Sequence, residues 1–263
     1  MSLDDTTINN MFTVGGLFSG VGGIELGFKQ AGFNTVWANE FDKYSSKTYR
    51  LNHGDHLIED DVHLLQGKDL QPVDVLTGGF PCQAFSVAGY RKGFRDPRGN
   101  LFFEIARLIE ELDTPPKAIM LENVKGLSMD YARDHLNKMI VDFEKIGYSV
   151  TWKITKGHEH GVPQKRERVF IIAVRDDVLD AIGLPFMCLS GLFPEPTSRR
   201  VSIGEAIDDL IDDEENINDS TKMDIDGMNN DSNNDSENDQ KESSDYIFEP
   251  SQVEIISELI PKS

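Results

Sequence analysis

The sequence predicts an α/β fold built on a doubly wound, mostly parallel sheet, and three observations carry that prediction. Short apolar runs alternate with helix-like segments from residue 12 to residue 175. A glycine-rich turn, GGLFSGVGG at 15–23, joins the first run to the first helical segment. Several runs end in glycine or in an acid, the residue types found where open sheets of this class bind ligands.

The elements follow in order. MFTVGGLF reads as a strand, and VGGIELGFKQAG as a helix that Gly32 stops. FNTVWANE is the second strand. DKYSSKTYRLNHG is the second helix, with Asp42 in the N-cap position and Gly54 past its end. A third strand precedes Asp61, and DVLTGGF (74–80) is a further strand ending in glycines. In NLFFEIARLIEEL, Leu101, Ile105, Leu108 and Leu112 recur at helical spacing. KAIMLENV is a strand, ARDHLNKMIVDFEKIG a helix, and YSVTWKIT and RVFIIAVR are strands. Beyond Arg175 the pattern weakens, with a short helix predicted in VSIGEAIDDLI (201–211).

The chain has 263 residues, enough for one large domain and an extension. The expected organisation is an N-terminal tail (1–11), a catalytic, ligand-binding domain (12–211), an acidic disordered segment (212–245) and a short amphipathic segment (246–263). Residues 212–245 are rich in Asp, Asn, Ser and Glu and nearly free of aromatic residues, so they cannot bury enough apolar surface to fold. Net charge is −20, unevenly placed: residues 205–263 hold 19 Asp/Glu against 3 Lys/Arg, whereas residues 1–204 hold 27 against 23. The body is therefore near neutral and free to carry local basic patches. No apolar run is long enough to span a membrane, and the acidic start lacks a secretory pattern. Two cysteines, Cys82 and Cys188, lie far apart and match no zinc spacing, so no metal site and a reducing, cytoplasmic setting are expected.

Glycines in 15–23 let a ligand approach the backbone beside a helix N-terminus. Alone, that turn suits a dinucleotide, a methyl donor or tight packing equally. Glu40, at the end of the second strand, adds a carboxylate able to accept from both hydroxyls of a ribose, which favours an adenosine-containing ligand. Asp61 and Val62 offer a further acceptor and an apolar face for an adenine. GGFPC places Cys82 after a proline at a strand end, where a lone thiol is either a buried structural residue or a nucleophile. The next loop, GYRKGFRDPRGN, carries Arg91, Lys92, Arg95 and Arg98 among glycines, a composition that suits a phosphate backbone or a solvated loop. Glu122 ends the KAIML run, and Gln164, Arg166 and Arg168 precede the last strand.

This set, in this order, resembles the C5-cytosine DNA methyltransferase family. GGLFSGVGGIELGF resembles the methyl-donor motif, NEFD the ribose-binding acid, GGFPCQAFSVAG the catalytic cysteine loop, RGNLFFEIARLI the helix after it, LENV the catalytic glutamate and QKRERVFIIAVR the arginine motif. The resemblance implies an S-adenosylmethionine-dependent, Rossmann-like fold. It also implies transfer of a methyl group to C5 of a cytosine flipped out of double-stranded DNA. In that reading Cys82, Glu122, Arg166 and Arg168 are catalytic. Phe18, Ser19, Gly20, Gly22, Gly23, Glu40, Asp61, Val62, Pro81 and Leu101 hold the donor. Gln83, Ser86, Arg91, Lys92, Arg98, Asn123 and Gln164 contact the substrate.

Two departures qualify the resemblance. Gly16 stands where many members have aspartate. The target-recognition domain and the two C-terminal motifs of complete members are not recognisable after SRRVSIGEAIDDL. A split enzyme with a second polypeptide that supplies recognition, linked to a restriction-modification system, is the expectation this supports. A truncated inactive or regulatory binder and a tRNA cytosine-5 methyltransferase are the alternatives.

Overall fold

The computed structural model describes residues 12–81, 101–130 and 132–208, the side chains of 186–188 excepted. The expected tail segments 1–11, 212–245 and 246–263 lie outside them. So do Cys82, Gln83, Ser86, Arg91, Lys92 and Arg98.

One seven-stranded sheet organises the chain, in the order β3-β2-β1-β4-β5-β7-β6. Its strands are β1 (Thr13–Leu17), β2 (Asn34–Glu40), β3 (Leu57–Glu59), β4 (Val75–Gly78), β5 (Ala118–Val124), β6 (Tyr148–Lys156) and β7 (Glu167–Arg175). The first five pair in parallel, and β7 runs antiparallel between β5 and β6. Strand order reverses between β1 and β4, so the crevice beyond their carboxyl ends is the expected ligand position of a doubly wound sheet.

Helices α1 (Gly23–Gln30), α2 (Lys43–His53), α3 (Leu101–Glu111), α4 (Arg133–Lys145) and α5 (Asp176–Ile182) cover the sheet. α2 starts as its sequence predicts: the Asp42 carboxylate accepts from the N–H groups of Tyr44 and Ser45. α3 buries Phe102, Ile105, Leu108 and Ile109, each contributing roughly 1.5–3 kcal/mol of transfer free energy. These side chains join Leu76, Ile119, Leu121, Phe143 and Tyr148 in the larger core on one face. The opposite core contains Phe28 of α1, Phe33, Val75, Met120 and Phe170.

α5 has no forecast in the apolar pattern; it is a seven-residue helix that buries only Val178 and Leu179. Over 203–208 the chain is helical, within the stretch expected to be so. Among the described residues no helix is long and apolar enough to cross a membrane.

Candidate active site

The first wall of the site is the turn from β1 into α1. Phe18 there has φ 55°, a left-handed conformation that costs a residue with a bulky side chain and recurs at ligand sites. Gly20 and Gly22 follow with φ 57° and 92°. A side chain at Gly20 or Gly23 would meet nothing within 4 Å, so this backbone lies open to a ligand. α1 begins without a side-chain cap, leaving its first N–H groups to whatever sits before them. The Ser19 N–H bonds the Asn39 carbonyl at 3.0 Å and ties the turn to β2.

Glu40 ends β2 and faces that turn. One carboxylate oxygen accepts from the Gly20 N–H at 2.8 Å; the other accepts from the N–H groups of Phe41 and Asp42 at 2.9 and 2.8 Å. Phe41, next in sequence, is 72% exposed. An exposed ring beside a strand-end acid suits stacking on a planar base, and only its position after Glu40 could have flagged it. Farther along this edge, the expected pair divides. The Asp61 carboxylate is engaged by His63, through its N–H at 3.0 Å and Nδ1 at 2.6 Å, which holds it below the usual carboxylate range. Val62 is buried in the larger core, so its side chain offers no open apolar face.

The second wall is the end of β4. A Cβ placed on Gly79 would lie 3.8 Å from Glu122 Oε2 and 3.8 Å from the Phe18 carbonyl, so the β4 end touches both the glycine turn and the β5 carboxyl. Asn123, expected among substrate contacts, is buried instead. Its amide donates to the Phe80 carbonyl at 3.1 Å and fixes the segment leading to Pro81. The neighbouring strand residues alternate between faces, so Glu122 and Asn123 serve opposite sides of the sheet.

Glu122 and Arg168 form the third wall. Because β7 is antiparallel, its beginning lies at the edge where the parallel strands end. Val124 pairs with Arg168 and Glu122 with Phe170, which places Glu122 and Arg168 diagonally on one face. Arg168 Nε stands 2.7 Å from Glu122 Oε1. That N–H makes no hydrogen bond among the described residues, so the pair is held by charge rather than by an aligned bond. Arg168 Nη1 also donates to the Glu167 carbonyl at 2.9 Å. Burial raises the Glu122 carboxyl above its ordinary value, opposed by the charges of Arg168 and Arg166. Gln164 and Arg166 are exposed just before β7, and Leu101 is half-buried at the start of α3.

The family model for C-5 cytosine-specific DNA methylase matches residues 12–262. The chain belongs to the C-5 cytosine-specific DNA methylase family. The type II methyltransferase M.Bsp6I of Bacillus sp. is 45% identical over 172 residues, 63% of this chain and 53% of that protein. M.NlaX of Neisseria lactamica is 36% identical over 211 residues, 80% of this chain and 64% of that protein. Among solved structures, a prophage-encoded E. coli protein described as a DNA modification methyltransferase superposes with TM-score 0.61 at 28% identity, covering 74% of this chain and 54% of that one. The S. pombe Dnmt2 methyltransferase gives TM-score 0.52 at 25% identity, covering 64% and 55%. The chain thus spans about half to two thirds of the length of these relatives.

Members of this methylase family use S-adenosylmethionine as the methyl donor. The open glycine turn, the Glu40 carboxylate at the second strand end and the exposed Phe41 ring fit an adenosine-containing group. Sequence reading missed a further buried acid in this wall, Glu25, which is 2% exposed; it lies between Ile24 and Leu26, and a carboxylate in a short helix is ordinarily read as solvated.

Proposed function

We propose that this chain is the catalytic part of a DNA cytosine-5 methyltransferase acting on a flipped cytosine. The observation that supports this reading best is the convergence at Gly79 of the glycine turn, the β4 end and the Glu122 carboxyl. S-adenosylmethionine would supply an electrophilic methyl group on a sulfonium centre, with the S–CH₃ electron pair left on sulfur as a neutral thioether. Cytosine C5 is too weak a nucleophile to take it unaided. Cys82, which follows Pro81 in sequence, adds as thiolate to C6, and the C5–C6 π pair becomes available at C5 for the new C–CH₃ bond. Loss of the C5 proton to a base then returns the pair, re-forms the double bond and expels the thiolate.

Glu122, whose carboxyl burial pushes up from its ordinary value, hydrogen-bonds N3 and the exocyclic amine and makes C6 electrophilic. Arg168 and Arg166 stabilise charge at the pyrimidine oxygen. Glu40 would hold the donor's ribose and Phe41 would offer its ring to the adenine. Flipping is required because C5 and C6 are inaccessible inside the stack. Gln83, Ser86, Arg91, Lys92, Arg98 and Gln164 are proposed to contact the DNA strand. We assign the choice of target sequence to a second polypeptide.

The test is transfer of a labelled methyl group to DNA or tRNA by the full chain co-expressed with candidate recognition polypeptides, beside Cys82→Ser. Incorporation into DNA that vanishes with Cys82→Ser is the expected result. Incorporation into tRNA alone, or transfer that survives loss of the thiol, would overturn the assignment.

A further inference from the structure

Beneath the glycine turn lies a carboxyl that the proposed chemistry does not use. Glu25, on α1, is buried at 2% exposure. One of its oxygens, Oε1, accepts from the Ser19 hydroxyl at 2.7 Å. The other, Oε2, is buried with no hydrogen-bond partner among the described residues. The space it fills exists because residue 16 is glycine. A Cβ there would stand 2.1 Å from Glu25 Oε1 and 2.6 Å from the Ser19 hydroxyl. Thus a side chain from α1 occupies volume that a side chain from β1 would otherwise claim. Ser19 in turn fixes the turn at three points: its hydroxyl to Glu25, its N–H to the Asn39 carbonyl, and its carbonyl to the Gly22 N–H.

We propose that Glu25 is a positioning residue of the methyl-donor site, which it serves un-ionised, setting the glycine turn through Ser19 so that ionisation of this one carboxyl loosens donor binding. The inference rests on placing the donor at this turn. Burial raises the Glu25 pKa to about 7, outweighing the Ser19 hydrogen bond, with the Glu40 carboxylate adding repulsion. The other groups around it do not mimic that titration. On the α2 side stands Tyr49, whose hydroxyl is pushed far up by burial and by Glu25. Beyond it His53 and His56 are held below their ordinary value by burial, with Lys29 of α1 adding to this. Glu40 closes the cluster from β2.

The experiment is calorimetric titration of the full chain with S-adenosylmethionine from pH 6 to pH 8.5, in the wild type, Glu25→Gln, Glu25→Ala and Gly16→Ala. A coupling worth one pKa unit corresponds to a roughly tenfold change in affinity. Wild-type affinity should therefore fall about tenfold more across this range than that of Glu25→Gln, which keeps an acceptor for Ser19 but cannot ionise. Comparing the two profiles cancels titration of the donor's own groups. Glu25→Ala and Gly16→Ala should bind weakly at every pH, and circular dichroism confirms that they fold. Parallel profiles for wild type and Glu25→Gln, or a folded Glu25→Ala that binds as tightly as wild type, overturn this inference alone. No donor binding by the wild type at any pH overturns the donor placement and this inference with it.

Discussion

At the scale of single residues, the candidate site holds a carboxyl whose surroundings favour its protonated form more than water does. Glu122 has a side chain 24% exposed, beside an Arg168 side chain 21% exposed. Desolvation outweighs the attraction of both arginines, so the folded-state pKa is raised. The native state then binds more protons than the unfolded chain above the unfolded value near 4.3. Stability contributed by this group is accordingly complete below that value and lost as pH rises through the folded pKa. Glu122→Gln should flatten this part of the stability profile, measured by urea unfolding at a series of pH values. It should also lower methyl transfer by about 10²–10⁴-fold, because the amide cannot donate a proton to N3. An unchanged stability slope would show that the carboxyl titrates normally.

Among elements, the edge opposite the site is held by a different acid. Asp74, just before β4, accepts from the Thr13 N–H and hydroxyl of β1 at 2.8 and 2.9 Å. It also pairs with Lys117, just before β5, at 2.9 Å. Burial pushes its pKa up, but the hydrogen bonds from Thr13 and Lys117 prevail and the net direction is down. The sign is therefore opposite to that of Glu122: this stabilisation is present above the unfolded value near 3.9 and is lost as pH falls through the folded pKa. Asp74→Asn offers one acceptor oxygen where three donors converge, and should cost about 1–3 kcal/mol at pH 7. The gap between variant and wild type should narrow below about pH 4. Thermal unfolding at pH 7 and pH 3 measures both; a constant gap would argue against the charge as its source.

At the scale of the whole molecule, charge separates the body from the C-terminal sequence. Residues 212–245 hold 13 Asp/Glu and 2 Lys/Arg. Their deletion should strengthen low-salt DNA binding by the chain. The effect should fade as added salt shortens the screening length towards ~8 Å at physiological strength. Fluorescence anisotropy across a salt series reads this, and equal affinities at low salt would refute it.

The sheet and the helices up to residue 175 were legible because each carries its own period and punctuation, as with Asp42 and Gly54 around α2. The strand-end positions of Glu40 and Glu122, and of Arg168 at the start of β7, were legible from the apolar runs they border. α5 was not, since seven residues hold too few apolar positions to show a period. Nor was Val62, whose neighbour Asp61 suggested an edge while its own side chain went to the core. Glu25 was the least legible: nothing local marks a charged residue as buried, and only the missing side chain of Gly16, across from it, makes the room.

The pairing of β5 with β7 has a consequence for how this gene tolerates length changes. Seven consecutive rungs, from Ala118 with Val174 to Val124 with Arg168, separate the far end of the strand from the site. Loss of one codon within 169–174 would move Arg168 by one rung and turn it to the opposite face from Glu122. Apolar residues fill both faces of this stretch, so the slipped strand could still find a core to pack against. The length of this stretch is fixed by the geometry of the site it ends in.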